Sequence, residues 1–257
     1  GILQIINPQD EAGNVIPFSE EAEFYVSYFA ASVVQIYEYA YLTKQLVERL
    51  VKMANYRDPR ETGAHVERVS CFSLEIYDRY AANKHIPEAE RNKFRDNLKL
   101  AAKCHDVGKV AVADKVLKKQ GILDDDERAV MRGHICIGAQ IFTPAESELD
   151  KMAFEVCLHH HDRWDGGFKG YPENFDYMEY IPETKIPITN PQKLVGSEIP
   201  LAARIVALAD VYDALRHRRV YKDSWPLDYT LKEISKESGK HKSVIAITKA
   251  VCYHINS

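Results

Sequence analysis

Cysteine is scarce in this sequence, and it is not arranged for disulfides or for thiolate metal sites. The five cysteines among 257 residues are odd in number, widely spaced and never form a CxxC pair. Disulfide frameworks and thiolate zinc sites both depend on closely spaced or paired cysteines. We therefore expect reduced thiols and a cytoplasmic location.

Long apolar runs and excess positive charge are also lacking. No segment approaches the run of about 18 apolar residues that crosses a membrane, and the N-terminus has no signal-peptide pattern. The formal net charge is −4, whereas binding to a nucleic-acid polymer needs a basic surface. These absences predict no membrane segment and no nucleic-acid polymer as a partner, and they leave small anionic ligands open.

The first 57 residues differ in pattern from the rest. Residues 1–18 alternate apolar and polar side chains around a turn at 10–14, which predicts a β-hairpin or the edge of a sheet, too short to fold alone. Residues 19–56 contain no proline or glycine, and their apolar side chains recur in steps of three and four. This spacing predicts a long amphipathic helix with a coiled-coil-like seam, interrupted at Thr43. The seam residues are Val26, Phe29, Val33, Ile36, Ala40, Val47 and Leu50.

Two interpretations of this helix are open. It either packs against its own domain or pairs with a second copy as a dimerising signalling helix, and we favour the second.

From residue 58 onward, turn residues separate a series of helical patterns, and no convincing strand is present. We therefore predict an all-α domain, with helices at about 61–83, 88–105, 124–143, 147–161, 200–217, 227–238 and 241–256.

Most of these predicted helices carry a histidine or carboxylate beside apolar residues. A single buried histidine is usually just hydrogen-bonded, but burying many ionisable groups is costly unless a metal ion binds them together. Imidazole and carboxylate without thiolate suit iron, manganese or zinc, and an aspartate between two histidine groups can bridge two ions. Two such ions form a clamp for phosphate-ester hydrolysis. The candidate residues are Glu61, His65, His105, Asp106, His134, His160, His161, Asp210 and Asp213.

Several short motifs occur in a fixed order along the chain. They are "HV" at 65, "HDVGK" at 105–109, "VMRGH" at 130–134, "HHDRWDG" at 160–166, "GYP" at 170–172 and "ADVYDALRHRRVYK" at 209–222. Together they resemble the HD-GYP family of cyclic-di-GMP phosphodiesterases over about residues 58–257. The resemblance implies an HD-domain helical bundle and two or three iron or manganese ions. It also implies hydrolysis of cyclic di-GMP to pGpG by a metal-bridging hydroxide, with further cleavage to GMP left open.

The resemblance also assigns roles to individual residues. It implies that Asp106 bridges two metal ions and that Lys109 stabilises charge on the scissile phosphate, so these two residues form the catalytic pair. The remaining metal ligands would be His65, His105 and Asp210 on one side, His134, His160 and His161 on the other, and Glu61 for a third ion. Substrate contacts besides Lys109 would come from Tyr171, Arg219 and Lys222.

This chain departs from the family pattern in several places. Asp162 stands where the family usually has glutamate, and His159 is an additional histidine before the usual pair. The stretch from Asp165 to Pro172 is two residues longer than usual, and an insert of residues 173–198 follows it. "RRVY" replaces the more usual "RPY". These departures leave open another nucleotide substrate, such as cyclic GMP-AMP or a mononucleotide, and a catalytically slow cyclic-di-GMP receptor.

The N-terminal segment has a resemblance of its own. "GILQIIN", "VIPFS" and the helix that follows are similar to the last strand and exit helix of a GAF sensor domain. This resemblance implies a truncated GAF-like remnant at 1–18 and a dimerising linker helix at 19–57. The HD-GYP domain would then occupy 58–257.

Overall fold

A computed structural model of the chain describes residues 4–58, 63–167, 170–171, 192–217 and 224–238, without the side chains of 235–238. These residues form helices and connecting segments and contain no strand, so the prediction of an all-α fold is confirmed. The chain divides into two compact units, Gly1–Glu48 and Arg49–Ser257. No helix among the described residues is long and apolar enough to span a membrane.

The predicted N-terminal hairpin is present only as a tight turn. The Asp10 carboxylate accepts hydrogen bonds from the backbone N–H groups of Ala12 and Asn14, which closes the turn. A single antiparallel bridge joins Gln9 and Val15. Both flanking segments are largely exposed, so the pairing does not extend into strands among the described residues.

Helix α1 covers Glu20–Arg57, close to the predicted range of 19–57. The Ser19 hydroxyl caps its first turn by accepting from the Ala22 N–H, and the Thr43 hydroxyl donates to the Tyr39 carbonyl within the helix. Several seam side chains are exposed, including Phe29 at 57% and Ile36 at 70%. The division between the compact units falls within α1, and the predicted domain boundaries stay a prediction.

The second unit contains eight further α-helices among the described residues, most of them at the predicted places. The expected helix at 124–143 is two helices that meet at Gly133, and the expected helix at 241–256 lies outside the described residues. Single 3₁₀ turns occupy Val107–Ala111 and Gly196–Glu198. The α-helices are α2 Gly63–Asn83, α3 Glu88–Lys103, α4 Asp114–Leu117, α5 Asp125–Arg132, α6 His134–Ile141, α7 Glu148–His159, α8 Leu201–Arg216 and α9 Leu227–Ser238.

Local sequence explains where two of these helices begin. In α5 the Asp124 side chain accepts from the Glu127 N–H, while the Glu127 carboxylate accepts from the Asp124 N–H. Ser147 and Asp150 form the same reciprocal pair at the start of α7. Each pair provides acceptors for two backbone N–H groups that the start of a helix would otherwise leave without partners.

Small and branched apolar residues pack the helices around one core. Helix α2 packs against α3 and α8, while α7 packs against α3, α6 and α8. Ala101 on α3, Ala153 on α7 and Ala203 on α8 are fully buried, together with Val69 and Leu98. Because alanine side chains are short, the helices approach closely, and their histidine-bearing ends meet at one place.

The 3₁₀ turn at Val107–Ala111 packs directly on α6. A Cβ atom at Gly108 would lie 1.9 Å from the His134 carbonyl oxygen and 2.5 Å from the Gly138 nitrogen. Only glycine fits at this contact. The glycine of "HDVGK" therefore sets the separation between the turn that carries Asp106 and the helix that carries His134.

Candidate metal centre

A first group of side chains comes from three different helical segments. His65 on α2, His105 after α3 and Asp210 on α8 each place one ligand atom within 4.8 Å of the others. The His65 Nε2 lies 3.4 Å from Asp210 Oδ1, and the His65 and His105 rings are 5.9 Å apart. His65 and His105 are buried. These three residues, predicted as ligands of one ion, are brought together.

A second group lies beside the first. It consists of Asp106, His134, His160 and His161, whose ligand atoms also lie within 4.8 Å of one another. Asp106 Oδ1 is 3.0 Å from His134 Nε2 and 3.6 Å from His160 Nε2. The His160 and His161 ring centroids are 4.0 Å apart. The three histidines predicted for the second ion therefore surround one carboxylate oxygen.

Asp106 faces both groups. Its Oδ2 lies 3.1 Å from His105 Nε2 in the first group, while its Oδ1 faces the histidines of the second. One carboxylate thus presents one oxygen to each cluster. This is the arrangement required of a ligand that bridges two ions.

Backbone carbonyls fix the orientation of three histidines. The Nδ1 atoms of His105, His134 and His160 lie 2.9, 2.7 and 2.9 Å from the carbonyl oxygens of Ala102, Met131 and Val156. A carbonyl oxygen can only accept a hydrogen bond, so each Nδ1 carries the proton and donates. The Nε2 lone pair of each ring is then directed toward Asp106, as a metal ligand requires.

The burial of these atoms fits a metal site. Asp106 Oδ1, His134 Nε2 and His160 Nε2 are buried, and none of them makes an aligned hydrogen bond with another described residue. Buried polar atoms usually have such partners, because leaving them without one costs about 1–3 kcal/mol each. A divalent cation would satisfy all three atoms together. The donor set therefore fits two metal ions, each held by imidazole and carboxylate.

The protonation states also suit metal binding. Burial, together with the neighbouring His105 and His134, lowers the pKa of His160 below its usual value. Burial, His160 and His134 hold the pKa of His161 well below its usual value. Burial alone would raise the pKa of Asp106, but Lys109 and His105 hold it well below its usual range. Neutral imidazoles around an ionised carboxylate are the forms that coordinate metals.

Asp213 binds His65, a member of the first group, through the ring nitrogen that faces away from Asp210. The His65 Nδ1 donates to Asp213 Oδ2 at 2.6 Å, and Arg68 donates to both carboxylate oxygens at 2.6 and 3.0 Å. Burial would raise the pKa of Asp213, but the hydrogen bonds from His65 and Arg68 outweigh it and lower the pKa to about 2. The ionised carboxylate fixes the His65 tautomer and turns its Nε2 toward Asp210.

Lys109 lies at the bridging carboxylate. Its Nζ is 2.7 Å from Asp106 Oδ2 and 3.9 Å from Asp58 Oδ2, and its side chain is 19% exposed. An ammonium group here sits at the edge of the candidate metal pair. It is therefore placed to contact an anionic group bound there.

Tyr171 lies against the second group despite the longer spacing before it. Its ring stacks on His161 with centroids 4.3 Å apart, and the Arg132 guanidinium carbon lies over the Tyr171 ring, 5.3 Å from the ring centroid. The Tyr171 N–H donates to the His161 carbonyl at 3.3 Å. Burial raises the pKa of the Tyr171 hydroxyl, so the phenol stays protonated. A protonated phenol beside the metal ligands can donate a hydrogen bond to a bound anion.

His159, the first of the three consecutive histidines, faces elsewhere. His159 places Nδ1 2.7 Å from Asp162 Oδ2, and it belongs to neither candidate group. The carboxylate that replaces the usual glutamate is thus the partner of the additional histidine. His160 and His161, rather than His159, thus belong to a candidate group, and their role as metal ligands stays a prediction.

The C-terminal end of the insert, residues 192–198, is hydrogen-bonded to the segment that follows His161. The Lys193 ammonium donates to the Gly167 carbonyl at 3.0 Å, and the Gly196 N–H donates to the Trp164 carbonyl at 3.1 Å. Three predicted site residues lie outside the described part of the chain, as do residues 172–191 of the insert region. They are Glu61, Arg219 and Lys222.

Some site residues were not identified from sequence. Arg68 follows His65 by three positions on α2, a spacing that places both on one helical face. That spacing is the only signal that could have indicated it. Arg132, inside the "VMRGH" motif, gave no signal of its contact with Tyr171, and Asp213 was noticed without a role.

Residues 62–215 match the family described as HD domain, which is more than half of the chain. The chain belongs to the HD domain family. This assignment agrees with the paired histidines and aspartates of the candidate metal centre, which the matched range includes.

Curated relatives of this HD domain chain are identical to it at about a third of the aligned residues. The 3'3'-cGAMP-specific phosphodiesterase 2 of Vibrio cholerae is 36% identical over 77% of this chain and 32% of its own length. A cyclic di-GMP phosphodiesterase of Thermotoga maritima is 34% identical over 79% and 47%, respectively. A cyclic di-GMP phosphodiesterase of Vibrio cholerae is 37% identical over 75% and 36%.

These relatives confirm the predicted resemblance to cyclic-di-GMP phosphodiesterases of the HD superfamily. The chain spans 32–47% of the length of each of the three relatives. The GAF-like remnant stays a prediction.

Proposed function

We propose that this chain is the catalytic domain of a metal-dependent phosphodiesterase that hydrolyses cyclic di-GMP to pGpG. The observation that carries the proposal is Asp106, whose two carboxylate oxygens face the two histidine groups at 3.0 and 3.1 Å. Relatives named cyclic di-GMP phosphodiesterases support the choice of substrate.

Two ions would bind to the two groups. His65, His105 and Asp210 would hold one, His134, His160 and His161 the other, and Asp106 both, while Glu61 is the predicted ligand of a third. Such a pair supplies Lewis-acid activation of the attacking water and of the phosphodiester. Imidazole and carboxylate donors without thiolate suit iron, manganese or zinc, and the resemblance to the HD-GYP family favours iron or manganese.

The chain's own residues would bind and stabilise the phosphodiester. The Lys109 ammonium, beside Asp106, would pair with phosphate oxygens and stabilise the negative charge that develops on them. Tyr171 would contact the nucleotide from the second group, where its ring already stacks on His161. Arg219 and Lys222 are proposed to bind the substrate's other phosphate.

The test is hydrolysis of cyclic di-GMP by the purified chain loaded with Fe(II) or Mn(II), with products separated by chromatography. We expect pGpG, and a time course shows whether GMP follows. Asp106→Ala should lose both bound metal and turnover. Asp114→Ala is a matched control, because Asp114 is an exposed carboxylate in the next helix and should leave both unchanged. Full metal content and activity in Asp106→Ala would contradict the proposal.

A second substrate has support of its own. The relative named 3'3'-cGAMP-specific phosphodiesterase 2 is 36% identical, which is comparable with the cyclic di-GMP enzymes. Comparison of kcat/KM for the two cyclic dinucleotides at matched metal loading separates these substrates. Tight cyclic di-GMP binding with no product over hours would instead favour a receptor without catalysis.

We also propose that two chains pair through α1. Phe29, Val33 and Ile36 follow the seam spacing and are 57%, 46% and 70% exposed, so they offer an apolar stripe to a second copy. Analytical ultracentrifugation should give a dimer, and Ile36→Glu should shift it to monomer. Glu38→Gln, on an exposed face of the same helix, is the control. An unchanged dimer in Ile36→Glu would argue against the seam.

A further inference from the structure

Arg57, the last residue of α1, contacts the segment that follows Lys109. Its guanidinium donates to the Val110 carbonyl and, at 3.0 Å, to the Val112 carbonyl. It also donates to Asp114 Oδ1 at 3.1 and 3.3 Å. These partners lie more than 50 positions away in the sequence.

The two carbonyl contacts are the more important part of this arrangement. The ion pair joins side chains that are 37% and 56% exposed, and exposed pairs contribute little because water screens them. The bonds to Val110 and Val112 are partly buried and have a charged donor, which makes them stronger than neutral hydrogen bonds. One planar guanidinium thus holds the Val110 and Val112 carbonyls in a fixed geometry.

The segment held in this way carries the proposed catalytic lysine. The 3₁₀ turn Val107–Ala111 is closed by the Lys109 N–H donating to the Asp106 carbonyl at 3.0 Å and the Val112 N–H donating to the Lys109 carbonyl at 3.1 Å. Arg57 adds contacts from outside the turn, immediately after Lys109. The next residue of the chain, Asp58, places its carboxylate 3.9 Å from Lys109 Nζ.

We infer that Arg57 is a positioning residue for Lys109, which holds the turn so that the ammonium group stays at Asp106. The inference rests on the proposed function, since it assigns Lys109 its role at the phosphodiester. It also makes the C-terminal end of α1 a direct part of the support for the catalytic lysine. Arg57 itself does not contact the candidate metal ligands in either group.

A double-mutant cycle tests the inference. Arg57→Ala should lower kcat for cyclic di-GMP by about tenfold or more, because small misplacements of catalytic groups are costly. Metal content should be unchanged. In a Lys109→Ala background the same substitution should have little further effect, because the group it positions is gone. Equal losses in both backgrounds would overturn the inference.

Two controls and one independent measurement complete the experiment. Arg49→Ala removes an exposed arginine of the same helix. Asp114→Asn removes the charge of an exposed carboxylate that pairs with Arg57 and Lys118 and leaves the two carbonyl contacts of Arg57 in place, so both variants should keep kcat. Amide hydrogen exchange in the segment 107–112 should accelerate in Arg57→Ala and not in either control. Unchanged exchange would overturn the inference. This measurement needs no substrate, so it decides on Arg57 even if cyclic di-GMP is not hydrolysed and the proposed function fails.

Discussion

Substitution of Gly108 by alanine tests how closely the 3₁₀ turn and α6 must approach. The added Cβ would lie 1.9 Å from the His134 carbonyl oxygen, whereas observed contacts are almost never under 3.0 Å. The turn and the helix must therefore separate by about 1.1 Å. The His134 carbonyl and the Gly138 nitrogen are both backbone atoms, so no side chain can rotate to make room.

This displacement exceeds what metal coordination tolerates. Asp106 stands two residues before Gly108, and His134 is the residue that would be pushed away, so the Asp106–His134 distance of 3.0 Å would increase. Metal–ligand distances hold within about 0.2 Å, so a shift of about 1 Å should remove the second ion. Overpacking should also destabilise the fold by about 1–3 kcal/mol.

The assay is metal content by mass spectrometry combined with thermal unfolding. We expect Gly108→Ala to retain fewer ions than the parent and to unfold at a temperature lower by about 2–4 °C for each kcal/mol lost. Gly63→Ala is the matched control, because its Cβ would meet nothing within 4 Å in the first turn of α2. A Gly108→Ala protein with full metal content and parental stability would refute the reasoning.

Three further predictions concern the ligands and their supports. His160→Ala should lose metal and activity, whereas His159→Ala should retain metal, because His159 pairs with Asp162. The metal content of the two purified variants tests this difference, and equal losses would contradict the assignment. Asp213→Asn should weaken metal affinity by about 10–100-fold, measured by competition with a chelator, because it loses the charge that orients His65. Removal of metal with a chelator should lower the unfolding temperature, and Mn(II) should restore it by mass action; no change on either addition would argue against a metal site.

Much of the helical fold was predictable because local sequence determines it. Ser19, Asp124 and Ser147 mark helix starts through side-chain caps, and the apolar spacing after each gives the helix type. The split at Gly133 was not predictable, because this residue keeps helical angles of φ −58° and ψ −17° and no proline marks the break. The break between α5 and α6 leaves no trace in the hydrophobic spacing.

The residues of the candidate site could be predicted from the sequence, but their arrangement in space could not. The ligand histidines and aspartates were identified from their motifs, but the placement of Asp106 between two clusters depends on how α6, α7 and the 3₁₀ turn pack. The supporting arginines were missed for the same reason. Arg68 and Asp213 are separated by 145 positions and Arg57 and Val112 by 55, so only the folded chain brings them together.

The departures at His159 and Asp162 are best explained as one change. Asp162 is shorter than the usual glutamate, and its side chain is fully buried, where burial raises its pKa and makes the charged form costly without a partner. The additional histidine supplies that partner at 2.7 Å, across a single turn at the end of α7. The His160 ring is oriented toward Asp106 by the Val156 carbonyl and does not depend on His159. The His159–Asp162 pair therefore accommodates both departures without using a histidine of the candidate metal centre.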